Sequence, residues 1–382
     1  MTDQTNALRI ETTADAAGFA ALATGWDDLV RAMPRPSPFM LHGLLEEWWR
    51  VYGEGRRLAV VVAWRGERLV GALPAMIERR HGLRTARLLG GHESALGDVL
   101  LATDEPAATA GLLTAELGRQ PFDLLDVFGL PASSRLAAAI GAGLTVISRV
   151  EAPVLLMPDG FEAAYNAKTD SKKRNLHRRR RRQLGELGEL TVTVAREADE
   201  LQDALEDAFR LHDLRWEGRP DGSTFGTATG KRFHRAAIAR LAALDVARIV
   251  HVRIDGRPIA FHYYFALDGA MHVHRLAFDP DPTIARLSPG LVATLETLQV
   301  ASDEGLTRVE YLGGDERYKL ELSDQLEPLH QAIGWPQNPA GAVASRATLG
   351  VIAARRRLKR SETARAVYER TAGAAARLRR AA

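Results

Sequence analysis

Three groups of side chains in the second half of the chain have types and spacings suited to chemistry. The first is a run of histidines, His251, His262, His272 and His274, spread over alternating apolar stretches. A neutral imidazole can take up a proton near pH 7, and His262 is the first candidate for a general base. The second is Gly314-Asp315-x-x-Tyr318-Lys319. Asp315 can act as a base or orient one, Tyr318 can donate a proton, and Lys319 can neutralise a phosphate or carboxylate. The third is Ser288-Pro289-Gly290, which reads as a helix start: Ser288 can cap, Pro289 fits the first turn and Gly290 permits close backbone approach. The free N–H groups of such a start suit an anion, for instance a pyrophosphate. Each group also has a plain structural reading. His262 can be hydrogen-bonded within a sheet, Asp315 a turn residue after Gly313-Gly314, Tyr318 a packed ring, Lys319 a solvated charge and Ser288 an ordinary cap. Glu310, at a strand end, is a weaker candidate base. His272-x-His274 lacks further ligands at metal-binding spacing, so no metal site is expected.

The elements that must position these groups are short strands and amphipathic helices. Ala247–Ile254, Arg257–Leu267 and Ala270–Phe278 read as three strands joined at Asp255-Gly256 and Asp268-Gly269. Asp-Gly between apolar runs marks a two-residue hairpin turn. Two-residue loops would place Tyr264 opposite Val273, His262 opposite Arg275 and His251 opposite Ala260. One face would then collect Val250, Val252, Ile254, Ile259, Phe261, Tyr263, Phe265, His272 and His274. The other would be polar, with His251, Arg253, His262, Tyr264 and Arg275. Pro289–Glu304 reads as a helix and Arg308–Leu312 as a strand. Upstream, residues 13–32, 41–52, 106–117 and 133–141 read as helices, with strands over Arg57–Trp64, Arg68–Ile77, Phe122–Val127 and Glu151–Met157. Phe161–Leu187 is helical with a break near Thr169–Ser171, Leu190–Val194 alternates as a strand, and Ala198–Trp216 and Gly230–Leu244 are helical. The stretches 60–76 and 249–265 share an outline of strand, glycine turn and strand, which suggests an internal duplication.

The chain has 382 residues, no cysteine and a formal charge of +3. Without cysteine there are no disulfides, thiolate metal sites or cysteine nucleophiles, which fits a reducing cytoplasm. No apolar run is long enough to span a bilayer, and the first residues lack the pattern of a secretory signal. Charge is uneven. Lys168–Arg182 carries +8 and Arg355–Arg380 another +8, leaving −13 elsewhere. On a helix, Leu176, Arg180, Leu184 and Leu187 form one packed stripe with the arginines of SKKRNLHRRRRRQLGELG fanned around the rest. Such a helix is solvated or faces an anion. It lacks the interleaved aromatics of a single-strand binder.

The ordered pieces Gly256-x-Pro258-Ile259-Ala260, Ala277-Phe278-Asp279, Ser288-Pro289-Gly290 and Gly314-Asp315-x-x-Tyr318-Lys319 resemble the C-terminal domain of the CelD-type, Fem-related branch of the GNAT acyltransferases. Looser matches at Trp48, Leu73-Pro74, Leu88–Asp98 and Lys172-Lys173-Arg174-Asn175 extend the resemblance over most of residues 20–335. It implies an α/β (α+β) fold of two tandem GNAT-like domains, each a mixed, mostly antiparallel sheet flanked by helices. The expected domains are 1–155, 156–338 with a basic helix over 168–187, and a basic Ala/Arg-rich helical tail over 339–382.

The resemblance further implies a cytoplasmic acyl-CoA-dependent N- or O-acetyltransferase. The acceptor would be an amine or hydroxyl of a sugar, sugar nucleotide or other small molecule, and a place in exopolysaccharide synthesis follows from the same likeness. Acetyl-CoA would lie against Arg286, Ser288, Gly290, Leu291 and Lys319, and Tyr318 would protonate the leaving thiolate. The segment Arg286-Leu287-Ser288-Pro289-Gly290-Leu291 departs from the usual Gln/Arg-x-x-Gly-x-Gly/Ala loop of the superfamily. Fem-type relatives take aminoacyl-tRNA in place of CoA, so the basic helix keeps a tRNA partner open. A third reading is a non-catalytic GNAT-like scaffold of a polysaccharide-synthesis assembly.

Overall fold

A computed structural model describes residues 7–216, 223–314 and 316–360. Its strands form sheets of four, six and seven strands, mixed but mostly antiparallel, with helices against them. In the first half, Val60–Arg65 and Arg68–Leu73 make the expected hairpin around Gly66-Glu67, with Arg65 opposite Arg68. Val60 through Ala63 are all buried, so this strand reads as a continuous apolar run and not as an alternation. Pro74 has no N–H to donate, and the chain leaves the four-stranded sheet there and continues as Ala75–Arg80 in the six-stranded one.

The seven-stranded sheet carries the predicted meander with the predicted bounds, Ala247–Ile254, Arg257–Leu267 and Ala270–Phe278. Both turns have the two positive φ angles that select Asp-Gly: 48° and 77° at Asp255 and Gly256, 47° and 75° at Asp268 and Gly269. The register differs from the expected one further from the turns. Arg253 faces Pro258 but Val252 faces Ala260, so Ile259 is an extra residue. Tyr264 faces Val273 as expected, but Tyr263 faces Arg275, so His274 is extra on the neighbouring strand. Each bulge exchanges inside for outside beyond it. His262 therefore lies opposite Leu276 and Val250, not Arg275, and His251 lies opposite Phe261, not Ala260. The expected polar face does not form. His262 and Tyr264 share a face with Val250 and Val252, toward the helix Pro289–Asp303, whereas His251 shares the opposite face with Phe261 and Arg275 lies beside Tyr263.

The two halves exchange strands. Pro153–Leu156 leaves the first half and pairs with Arg308–Glu310 and Gln325–Leu326 in the seven-stranded sheet. Leu329–Gly334 returns from the second half and lies between Leu124–Pro131 and Leu144–Val150 in the six-stranded sheet. A boundary between residues 155 and 156 thus falls within a strand, and the segment to 338 supplies a strand to the first half. The helix Pro339–Arg360 follows and packs on Leu329–Gly334 and Leu124–Pro131. The remainder of the expected tail, 361–382, lies outside the described residues.

A buried ion cluster joins the halves. Arg35 donates from Nε to Glu310 Oε1 at 3.0 Å and from Nη2 to Oε2 at 2.5 Å. Arg308 donates to the same Oε1 at 2.9 and 2.7 Å. Glu310, expected as a weak candidate base, is 1% exposed and fully engaged as this joint. Burial alone would raise its pKa, but Arg35 and Arg308 hold it below the ordinary carboxylate value.

Thr169 is extended and Asp170 caps the basic helix Ser171–Gly185, its side chain accepting from Lys173 N at 2.6 Å. Leu184 is buried, Leu176 and Arg180 half-buried, but Leu187 is 40% exposed, so the packed stripe ends a turn earlier than expected. Among the described residues no helix is long and apolar enough to cross a membrane.

Candidate functional site

The parallel strands Ala270–Phe278 and Arg308–Glu310 pair for only three positions, Ala270 with Arg308, Met271 with Val309 and His272 with Glu310. Beyond them the first strand bulges at His274 and runs on to Phe278, while the second ends. Backbone groups that would have paired with each other now border a gap. A cavity of about 470 Å³ fills this parting. Val273 to Leu276 form one side and Tyr311 to Gly313 the other, with Glu316, Tyr318 and Lys319 beyond. The first half closes it with Phe39, His92, Glu93 and Phe128, and the end of the helix Ala198–Trp216 adds His212 and Trp216. The cavity thus lies between the halves.

Tyr318 and Lys319 sit on the five-residue helix Arg317–Glu321 and reach this cavity together. Burial, then the nearby Glu316 carboxylate, raise the Tyr318 phenol well above its ordinary pKa, so it stays protonated at neutral pH. Lys319 is 6% exposed; its Nζ bonds Glu316 Oε2 at 2.8 Å and Gly313 O at 3.3 Å. It is a paired, buried charge, not a solvated one. Asp315 lies outside the described residues.

His262 does not line the cavity. It is 1% exposed, its Nδ1 has no hydrogen-bond partner, and burial followed by the charge of Lys319 pushes its pKa down to about 3. So weak a base inside the sheet is poorly placed to take a proton from a substrate. His212 stands at the cavity with Nδ1 unbonded and its pKa pushed down to about 4 by burial.

The helix Pro289–Asp303 begins beside the far end of the parted strand. Ser288 adopts the left-handed region at φ 57° and its side chain makes no capping bond, so the expected serine cap is not formed. Its carbonyl instead accepts from Leu291 and Val292 N–H at 3.0 and 3.2 Å. A Cβ on Gly290 would come within 2.9 Å of Phe278 Cδ1, so the glycine lets the helix start pack on that ring. The Arg215 guanidinium lies 4.2 Å from the centroid of the same ring. Arg286 is exposed and Leu291 half-buried. The basic helix docks here through Leu184, which packs with Ile284, Leu287 and Val292, and Arg181 bonds Glu296 at 2.5 Å. Lys172, Arg179 and Arg180 make no ion pair among the described residues.

Sequence reasoning did not anticipate Glu93, His212 or His234. Glu93 comes from the first half, yet bonds Arg275 Nη2 at 2.7 Å and the Thr224 hydroxyl. Burial raises its pKa, but His234, Arg275 and Thr224 outweigh that and hold it at about 2. His272 and His274, adjacent in the sequence pattern, part company. His272 approaches Glu310 and Arg35, and His274 approaches Glu93 and His234. No spacing along the chain signals this convergence, because its members come from three separate elements.

The acetyltransferase (GNAT) domain family matches residues 171–320. No curated protein matches the sequence. Among solved structures, the chain is similar to the C-terminal domain of a protein described as a lysylphosphatidylglycerol synthetase from Agrobacterium fabrum, at 13% identity and TM-score 0.53, covering 88% of this chain and 97% of that one. It is also similar to FemX, at 10% identity and TM-score 0.54, covering 81% and 95%. L-PGS from Bacillus licheniformis follows at 11% identity and TM-score 0.50, covering 79% and 91%. At these identities the likeness is one of fold.

Proposed function

With residues 171–320 carrying a GNAT-family acetyltransferase domain, we propose that the chain transfers an acyl group, with acetyl-CoA as donor, to an amine or hydroxyl of a sugar or other small acceptor. The observation that carries this reading is the cavity in the parted strands, closed by the first half and bordered by Tyr318. A thioester laid along Val273–Leu276 can meet the unpaired backbone groups of the parted strand, as an added strand would. Its pyrophosphate end would then lie toward the helix start at Ser288-Pro289-Gly290, where the Gly290 N–H and the exposed Arg286 guanidinium favour an anion. The acceptor enters from the side of Glu93 and Phe128. Its nitrogen or oxygen adds to the carbonyl carbon, the C–S bond breaks, and CoA leaves as the thiol. Tyr318, kept protonated by burial, supplies the thiol proton. His212 is the candidate base by position, since it lines the cavity and His262 does not; burial makes both imidazoles weak bases.

A second reading has a specific observation behind it. The outward face of Ser171–Gly185 carries the exposed Lys172 and Arg179 with no acid paired to them among the described residues, which favours a polyanionic donor such as aminoacyl-tRNA. One experiment tests both. Acetyl-CoA and, separately, aminoacyl-tRNA are titrated calorimetrically into the wild type and Tyr318→Phe, and thiol release is followed with a panel of amino sugars. The expected outcome is acetyl-CoA binding by both proteins and turnover reduced about 10²–10⁴-fold in the variant. Binding of aminoacyl-tRNA alone moves the function to aminoacyl transfer. Binding of neither overturns both readings.

A further inference from the structure

Glu93 and His274 line the cavity, and the buried imidazole of His234 stands against them, without the three completing each other's bonding. Glu93 comes from the first half, His234 from the helix Ala228–Ala243, and His274 from the bulge where the strands part. One ligand-type atom from each lies within 4.8 Å of the other two. Nε2 of His234 and Nε2 of His274 are buried with no hydrogen-bond partner. His234 Nε2 is 3.7 Å from Glu93 Oε2, beyond hydrogen-bond reach. Two orphaned nitrogens facing one carboxylate are costly in a packed interior unless something binds between them.

We propose that Glu93, His234 and His274 form a binding site for a divalent transition-metal ion of the zinc class, with its remaining coordination open to the cavity. Two imidazole nitrogens and one carboxylate oxygen suit Zn²⁺ or Co²⁺, whereas Mg²⁺ and Ca²⁺ take oxygen ligands. Tetrahedral coordination at about 2.0–2.2 Å sets ligand atoms about 3.3–3.6 Å apart. The His234–Glu93 separation of 3.7 Å is already close to that, so small rotations of the side chains close the site. The ligands are held from behind. His274 stacks on Phe265 at 4.9 Å between centroids and His234 stands edge-on to Phe225 at 4.7 Å. Glu93 is oriented by the Thr224 hydroxyl on Oε1, the outer bonding that orients metal-binding carboxylates, while Arg275 competes for Oε2, the oxygen that faces His234. Arg275 also brings a positive charge beside the site. It lowers affinity for a dication, so Arg275→Gln is expected to bind the metal more tightly than the wild type.

The site does not depend on the acyltransferase reading, and its test reads binding and not turnover. Untagged full-length protein is stripped with chelator and titrated with Zn²⁺ by calorimetry, and with Co²⁺ followed by its visible spectrum. The expected result is one ion per chain, with the intense bands of four-coordinate Co²⁺. Glu93→Gln and His274→Ala should each weaken binding at least about tenfold, Arg275→Gln should strengthen it, and His81→Ala, at an exposed histidine, should leave it unchanged. X-ray absorption of the wild-type zinc complex should show imidazole scattering and a first shell of nitrogen and oxygen at about 2.0–2.1 Å, a readout that does not need the variants to fold. Absence of stoichiometric binding, the pale spectrum of six-coordinate Co²⁺, or equal binding by Glu93→Gln and the wild type would overturn the assignment.

Discussion

Replacing Arg35 by alanine tests how the halves are joined. Arg35 supplies the only contact to Glu310 Oε2 among the bonds of that carboxylate described here, while Arg308 keeps Oε1 through two bonds. The variant therefore leaves one oxygen of a buried carboxylate unsatisfied, not the whole ion unpaired. Losing hydrogen bonds to a charged group costs about 1.5–3 kcal/mol, less than the roughly 3–5 kcal/mol of a buried ion stripped of its partner. Unfolding entropy of about 2.1 cal/mol/K per residue, over about 350 residues, gives about 0.7 kcal/mol/K. Arg35→Ala should thus lower Tm by about 2–4 °C, and Arg35→Ala with Arg308→Ala by about 4–7 °C or more. Differential scanning calorimetry reads both. Adding Glu310→Gln to Arg35→Ala removes the stranded charge and should recover at least half the loss. A single variant within 0.5 °C of the wild type, or no recovery on adding Glu310→Gln, would refute the joint as a source of stability.

Gly290→Ala forces a Cβ against Phe278 at 2.9 Å; overpacking less the helix preference of alanine leaves about 0.5–2 kcal/mol of destabilisation. Acetyl-CoA affinity should change less than about threefold, and unchanged Tm with abolished donor binding would show that the glycine serves the ligand and not the ring. His262 carries a pKa of about 3 in the folded chain against an ordinary 6.5. The unfolded chain thus takes up a proton below pH 6.5 that the folded chain refuses until about pH 3, so this histidine lowers stability as pH falls through that window and does nothing above it. His262→Gln should flatten the dependence of unfolding free energy on pH by about 1.4 kcal/mol per pH unit between roughly pH 5.5 and 4, measured by urea titration; an unaltered slope would contradict the buried neutral state.

The meander was legible because its punctuation is chemical. Asp-Gly demands two positive φ angles, and the apolar runs between fix the strand lengths to the residue. Its faces were not legible, because a bulge leaves no compositional mark: Ile259 and His274 are ordinary strand residues that happen to be extra. Tyr318 and Lys319 were found together because they are neighbours on one short helix. Glu93, His212 and His234 were missed because they lie far apart along the chain, and only tertiary packing brings Glu93 and His212 to the cavity and His234 beside Glu93. Leu329–Gly334 escaped notice for a similar reason. Nothing in Leu-His-Gln-Ala-Ile-Gly says that its partners, Leu124–Pro131 and Leu144–Val150, lie about 180 to 210 residues upstream.

That returning strand imposes a timetable on synthesis. When Leu144–Val150 leaves the ribosome, its partner in the six-stranded sheet does not yet exist. At about 5–20 residues per second, the missing strand follows roughly 9–36 s later. Throughout that interval two strand edges face each other across an empty slot, the arrangement that invites pairing with foreign chains. The nascent first half must therefore wait, shielded or loosely formed, until nearly the whole chain is made. A codon change that slows translation between residues 156 and 328 would lengthen the exposure without altering a single residue of the finished protein.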